Sequence, residues 1–435
     1  MLTSETPAGS LHPTQGRVGI QYSKEPMTDT DPPIGIDISD FDLMRLPADY
    51  VPRAYDYLAA LRDRHPIHEN ADGSLILTRY DDLVSVYRNP AVWSSDKKID
   101  FKPKFGDSPL YEHHTTSVVF SDPPDHTRIR KLFQAAFTPK SLAALTPRIE
   151  ALIDGYLDQL ADQGEMEVVG EFSFKLPVEI VCDMLGVPSA DRIQIRDWAL
   201  LILGGLEPVL GKAQFDAGCR AVEDFKAYLR DLIAYRKSHP EEAKPGEILS
   251  ALVDAEEDGQ RLTEIELLHQ CIFLLNAGHE TSTNMISHGV HEMLRHPDEI
   301  GKLRRQPDLI DSAVEEILRC HAPIQINNRR AHRDTMLSDT PVPAGTIAHL
   351  MIAGANRDPA QFEDPHRFDI TRRPNRHLSF GLGIHVCIGN TLARIEGRIA
   401  FAKLFDRFPV LQLVAPAKLS NRIRFREVEE LRVRT

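Results

Sequence analysis

The chemistry of this chain concentrates in one short segment, Phe380-Gly381-Leu382-Gly383-Ile384-His385-Val386-Cys387-Ile388-Gly389. Glycines at 381, 383 and 389 open the backbone to positive φ and to the close approach of a flat ligand. Cys387 directly precedes apolar residues at helical spacing, namely Ile388, Leu392, Ile395, Ile399 and Ala402. A helix N-terminus and free loop amides at that point favour a thiolate. A thiolate offered from such a loop can be the single axial ligand of a haem iron, pushing electron density toward O–O cleavage. His385, two residues earlier, is then within reach of a haem propionate. A lone cysteine is ordinarily a small buried hydrophobe. Here, however, six positions of F-G-x-G-x-H-x-C-x-G are met together, which average residue usage produces roughly once in 10⁵ chains of this size.

A second segment, Ala277-Gly278-His279-Glu280-Thr281, falls midway along a long helical pattern. Thr263 is the expected N-cap and Glu266 completes a capping box. Pro297 stops the pattern after about Arg295. At 1.5 Å per residue this helix is roughly 50 Å long. No Asp, Glu, Lys or Arg occurs from Leu267 to Gly278, so its centre is expected to be buried. Ala277 and Gly278 remove bulk, Thr281 can bond back to a carbonyl one turn earlier, and an acid beside an alcohol can relay protons. A further helix is predicted with Thr146 as N-cap and Pro147 in its first turn. Short strands are predicted at Leu75–Thr78 and Ile347–Ile352, each beside turn residues. Helix outweighs strand, so the fold is expected to be mainly α with small β-sheets.

The cysteine segment resembles the haem-binding loop of the cytochrome P450 monooxygenases, and other segments resemble that family in the right order from about residue 35 onward. Ala277–Thr281 is similar to its oxygen-activation motif, which makes Thr281 and Glu280 the expected catalytic pair. Position 282 is Ser where members often have Thr, a departure expected to matter little. The resemblance implies a single cytochrome P450 domain over residues 34–435, with haem b (iron) between the long helix and the helix after Cys387. It implies Cys387 as metal ligand, Phe380 near the thiolate, and Ala277, Gly278, Gly381 and Gly389 along the cofactor. His126, Arg130, Arg329 and His385 would anchor propionates, with Arg329 preferred over Arg330 by motif position. Glu316, Arg319 and Arg367 are carried over as a structural core rather than as catalysts.

The resemblance implies reductive activation of O₂ and insertion of one oxygen atom into an organic substrate. No flavin or iron–sulfur segment is recognisable, so the expected electron source is a separate ferredoxin with its NAD(P)H-dependent reductase. Arg128, Arg130, Lys131, Arg372, Arg373 and Arg376 are expected to form its basic dock despite a net charge of −13. That acidic balance argues against nucleic-acid binding. No run of apolar residues is long enough for a membrane anchor. Five scattered cysteines without a CxxC pair point to a reducing, cytoplasmic setting rather than to disulfides or zinc. A monomer is expected, with residues 1–33 as a disordered tail and Met27 as an alternative start.

The expected substrate is a small-to-medium hydrophobic molecule such as a terpenoid or aromatic compound. Residues from Phe101 to Val119, Leu201 to Leu206, Phe273, Leu274 and Ile324 to Asn327 are expected to line its pocket, with Gln325 and Asn327 as polar handles. His113-His114 is read as an exposed loop. A peroxide-driven haem-thiolate enzyme, a haem sensor and a haem-free helical protein are the rival readings. The Glu280–Thr281 pair counts against the first two.

Overall fold

A helix of 32 residues, Glu264–Arg295, runs through the middle of the molecule. Its capping box is formed as expected: Thr263 Oγ1 accepts from the Glu266 amide at 3.3 Å, and the Glu266 carboxylate accepts from the Thr263 amide at 2.8 Å. Leu267, Leu268, Cys271, Ile272, Leu274 and Leu275 are buried around its circumference, as the uncharged stretch required. In this computed structural model residues 35–207, 210–255 and 259–435 are described, and they fall in one unit. The expected tail and the alternative start at Met27 lie outside the described residues.

Seven helices position the site. In chain order they are α1 (Pro109–Thr116), α2 (Asp125–Ala136), α3 (Thr146–Leu160), α4 (Lys175–Met184), α5 (Glu264–Arg295), α6 (Ile310–Cys320) and α7 (Asn390–Arg407). α3 begins at Thr146 itself, so this threonine is the first helical residue, and its side chain does not cap. The main sheet has five short strands, β1 (Ile67–Glu69), β2 (Leu75–Leu77), β3 (Trp93–Ser94), β4 (Ile326–Ala331) and β5 (Ile347–Met351), in the order β1-β2-β5-β4-β3. Only the β2–β5 pair is parallel. Both predicted strands are present and end one residue early.

α6 ties the sheet to the cysteine loop through a buried ion pair. Arg319 Nε and Nη2 donate to the two Glu316 carboxylate oxygens at 2.8 and 2.9 Å, and both side chains are fully buried. Arg319 also donates to the carbonyls of Asn356 and Pro365. The third member of this cluster is not the expected Arg367. The Arg367 side chain is 59% exposed and faces Asp369, while its backbone carbonyl accepts from Arg319 at 3.0 Å. Arg372 takes the position instead, with its Nε 3.2 Å from both Glu316 oxygens. Two basic residues five positions apart in a loop cannot be ranked by local spacing, because the turn between them decides which one points inward.

Candidate active site

The cysteine loop is folded around Phe380, whose carbonyl accepts from the Cys387 amide at 2.9 Å. Gly381 and Gly383 have φ of +66° and +74°, so both require the freedom of glycine. Gly383 also packs so closely that a β-carbon would strike the Tyr87 carbonyl. Gly389 differs from expectation, since its φ is −83° and it serves as the N-cap of α7. Its amide bonds to the Cys387 sulfur and pulls the thiol toward ionisation, against burial, which pushes it up. The guanidinium of Arg394 lies over the Phe380 ring at 4.6 Å from the centroid.

Above this loop is a cavity lined by both Cys387 and Thr281. His126, Arg130, Arg329 and His385 all reach its wall. The His126 and His385 rings are 4.1 Å apart. Both ring nitrogens of His126, and Nε2 of His385, are buried without a hydrogen-bond partner. Burial holds His126 down to about 4. Arg130 donates to the Val386 carbonyl at 2.6 Å and Arg329 to the Asn328 carbonyl at 2.7 Å. Neither guanidinium meets a carboxylate, and burial pulls both below the ordinary arginine value. Strand alternation separates Arg329 from Arg330: the first lines the cavity, the second pairs with Asp100 outside it.

On the opposite wall α5 contributes Ala277, Gly278, Thr281 and Ser282. Thr281 Oγ1 donates to the Ala277 carbonyl at 2.6 Å, the back-bond expected of a mid-helix threonine. Gly278 serves helix packing as well, because a β-carbon there would lie 2.8 Å from Val181 of α4. Glu280 is not on the cavity wall. It is buried and bound to Arg422, which also holds Glu427. Burial, and then Glu427 beside it, push the Glu280 carboxyl upward, and its Oε2 has no partner. Ser282 does more than expected. Its hydroxyl donates to the buried carboxyl of Glu396 at 2.6 Å, joining α5 to α7. Burial raises Glu396 to about 7.

The chain matches the family model described as Cytochrome P450 over residues 197–423. It is 36% identical over 349 residues to cytochrome P450 CYP107DY1 of Priestia megaterium, covering 78% of this chain and 83% of that protein. It is 37% identical over 359 residues to the vitamin D(3) 25-hydroxylase of Pseudonocardia autotrophica, covering 82% and 86% of the two chains. The chain belongs to the cytochrome P450 family. Among solved structures, P450BioI in complex with acyl carrier protein ligated to hexadec-9Z-enoic acid superposes with a TM-score of 0.83 at 34% identity, covering 89% of this chain and all of that one.

Cytochromes P450 are haem-containing oxidoreductases, and the cavity of this P450 fits that cofactor. A buried arginine (Arg329) and a half-buried one (Arg130) without carboxylates, with three orphaned histidine nitrogens, are costly unless a partner meets them. They suit a flat group that brings two acids of its own.

Three sequence expectations are corrected by the structure of this P450. His113 and His114 are not an exposed loop: both lie on α1, both are buried, and both line the cavity. α1 packs them inward against α5, where His113 Nδ1 is 3.3 Å from His269 Nδ1. Gln325 is no polar handle, because its amide turns away from the cavity to the Ala322 carbonyl. The expected basic dock is also largely consumed. Arg128 pairs with Glu266, Arg130 lines the cavity and Arg372 serves Glu316, while Arg373 and Arg376 are exposed. Tyr87, Met184, Asn276, Arg424 and Phe425 line the cavity without any motif announcing them. Among the described residues no helix is long and apolar enough to cross a membrane.

Proposed function

We propose that this P450 hydroxylates, or otherwise oxidises, a small-to-medium hydrophobic molecule with electrons from a separate ferredoxin and its NAD(P)H-dependent reductase. Cys387 is the iron ligand in this reading, and His126, Arg130, Arg329 and His385 hold the propionates. When bound, the haem supplies one-electron and O₂ chemistry that no side chain can supply. The observation that carries the reading is the meeting of Cys387 and Thr281 on one cavity that also gathers Arg130 and Arg329, neither of which meets a carboxylate, and the orphaned ring nitrogens of His126 and His385.

The chain's own residues divide the work. Burial pushes the Cys387 thiol up, and the Gly389 amide and Arg130 work against it by favouring negative charge on the sulfur. Thr281 carries a hydroxyl proton at the cavity wall, and its bond to Ala277 fixes where that proton points. Glu280, its carboxyl pushed up by burial and linked to Arg422 and Glu427, is a proton-exchanging group behind the wall rather than a group within it. The mainly apolar lining, with Val118, Leu206, Phe273, Ile324 and Phe425, excludes water and favours a hydrophobic substrate. The vitamin D(3) hydroxylase and the acyl-carrier complex among its relatives support bulky or long apolar substrates.

The test is product formation with a ferredoxin and reductase, followed beside NAD(P)H consumption. Thr281→Ala is expected to keep consuming NAD(P)H while product falls on the order of tenfold or more and peroxide appears in its place. Unchanged coupling removes Thr281 from proton delivery. For the electron partner, Arg373→Glu with Arg376→Glu is expected to slow reduction severalfold at low salt and by less at high salt, because exposed charges act mainly on encounter. A salt-independent, unchanged rate moves the dock elsewhere.

A further inference from the structure

One cation in the cavity wall has no role in the reading above. Arg424 lines the cavity, and among the described residues its guanidinium makes no hydrogen bond, ion pair or ring contact. Arg422, two positions earlier, meets three carboxylates, those of Glu207, Glu280 and Glu427. The backbone bends at residues 423–425, so Arg422 meets these acids while Arg424 faces the cavity. Glu207 is the acid whose charge reaches Arg424, but its carboxylate is already held by Arg422 at 2.7 Å.

The surroundings add positive charge. Lys97, Lys104 and His114 all feel the charge of Arg424. Lys97 is paired with Asp100 at 3.2 Å, and Asp100 is shared with Arg330. Lys104 donates to a backbone carbonyl, that of Glu207. His114 shares the cavity wall and its Nε2 has no partner. Burial holds His114 neutral at about 3, so the ring can donate without adding charge. An unanswered guanidinium in a mainly apolar cavity is expensive unless an anion arrives to meet it. Its planar fork matches a carboxylate in two-point contact.

We propose that the substrate of this cavity carries a carboxylate on its apolar body, and that Arg424 is the residue that binds it. This rests on the oxygenase reading of the same cavity and names the substrate class within it. The apolar body lies against Leu203, Leu206, Phe273, Ile324 and Phe425, while Arg424 sets which part of it stays away from the reacting centre. Arg424 is thus a specificity residue.

The test uses the haem-loaded enzyme as wild type, Arg424→Gln and Arg424→Lys. Each is titrated with dodecanoic acid, its methyl ester and 1-dodecanol, and binding is read from the spin-state shift of the Soret band. The wild type is expected to bind the acid at least about tenfold more tightly than the ester, about 1.4 kcal/mol. Arg424→Gln is expected to erase that preference with ester affinity little changed, and Arg424→Lys to keep part of it. Equal affinity for acid and ester in the wild type, no response to the acid, or a ratio unmoved in Arg424→Gln overturns the proposal. Loss of haem from Arg424→Gln with the acid preference intact would also overturn it and assign Arg424 to a propionate. The reduced spectrum with carbon monoxide, recorded for every variant, keeps the outcomes apart. A thiolate-type band with no acid preference refutes only the carboxylate, whereas its absence in the wild type refutes the oxygenase reading itself.

Discussion

Cys387→Ser is expected to remove the red-shifted Soret band of the reduced, carbon monoxide-bound protein and to cut product formation on the order of 10³-fold or more. Cys387 is the only cysteine that lines the described cavity. The others are held apart from it: Cys182, Cys271 and Cys320 are buried, and burial pushes each of them up to about 12. None can take over as a thiolate. A serine hydroxyl is a much harder, more basic donor and does not reproduce the electron push of sulfur. Cys219→Ser, at a half-buried thiol outside the cavity, is the control and should leave both readouts unchanged. A thiolate-type band surviving in Cys387→Ser would overturn the ligand assignment.

The second large effect is expected on stability. Glu316→Ala should cost about 3–5 kcal/mol, because it strands a buried guanidinium. Arg319 would lose both carboxylate bonds, and Arg372, Asn375 and the Asp369 amide would lose the same partner. The loss should appear as a lower denaturation midpoint, with haem released earlier in the transition. Arg367→Ala is expected to change the midpoint little, since among the described residues its exposed side chain meets only Asp369, at 3.8 Å. Arg372→Ala should fall between the two. A midpoint in Arg367→Ala as low as in Arg372→Ala would contradict the arrangement of this cluster.

Much of the site was legible because its signals are local. The cysteine loop needs glycines, a histidine and a thiol within ten residues, and each answers a constraint of backbone or cofactor. The capping box, the uncharged stretch of α5 and the Thr281 back-bond were legible for the same reason: a helix relates residues three and four apart, whatever else surrounds it. The two strands announced themselves through flanking turn residues, to within one position.

Where expectation failed, the deciding contact was distant in the chain. His113 and His114 form an ordinary polar pair in sequence, and only packing of α1 against α5 buries them. Arg128 looked like surface charge until Glu266, 138 residues away, was brought beside it. Arg372 displaced Arg367 because the intervening turn, not the motif, aims the side chain at Glu316. Glu280 and Thr281 are neighbours in sequence but point to different places, since adjacent helical residues are about 100° apart around the axis. The sequence alone determined the family and the cofactor class and singled out Cys387 as the proposed iron ligand, all of them written in short-range patterns. Only the tertiary structure decided which charges are spent on one another and which, like Arg424, are left facing the cavity, because charge pairing depends on distances through space that spacing along the chain does not encode.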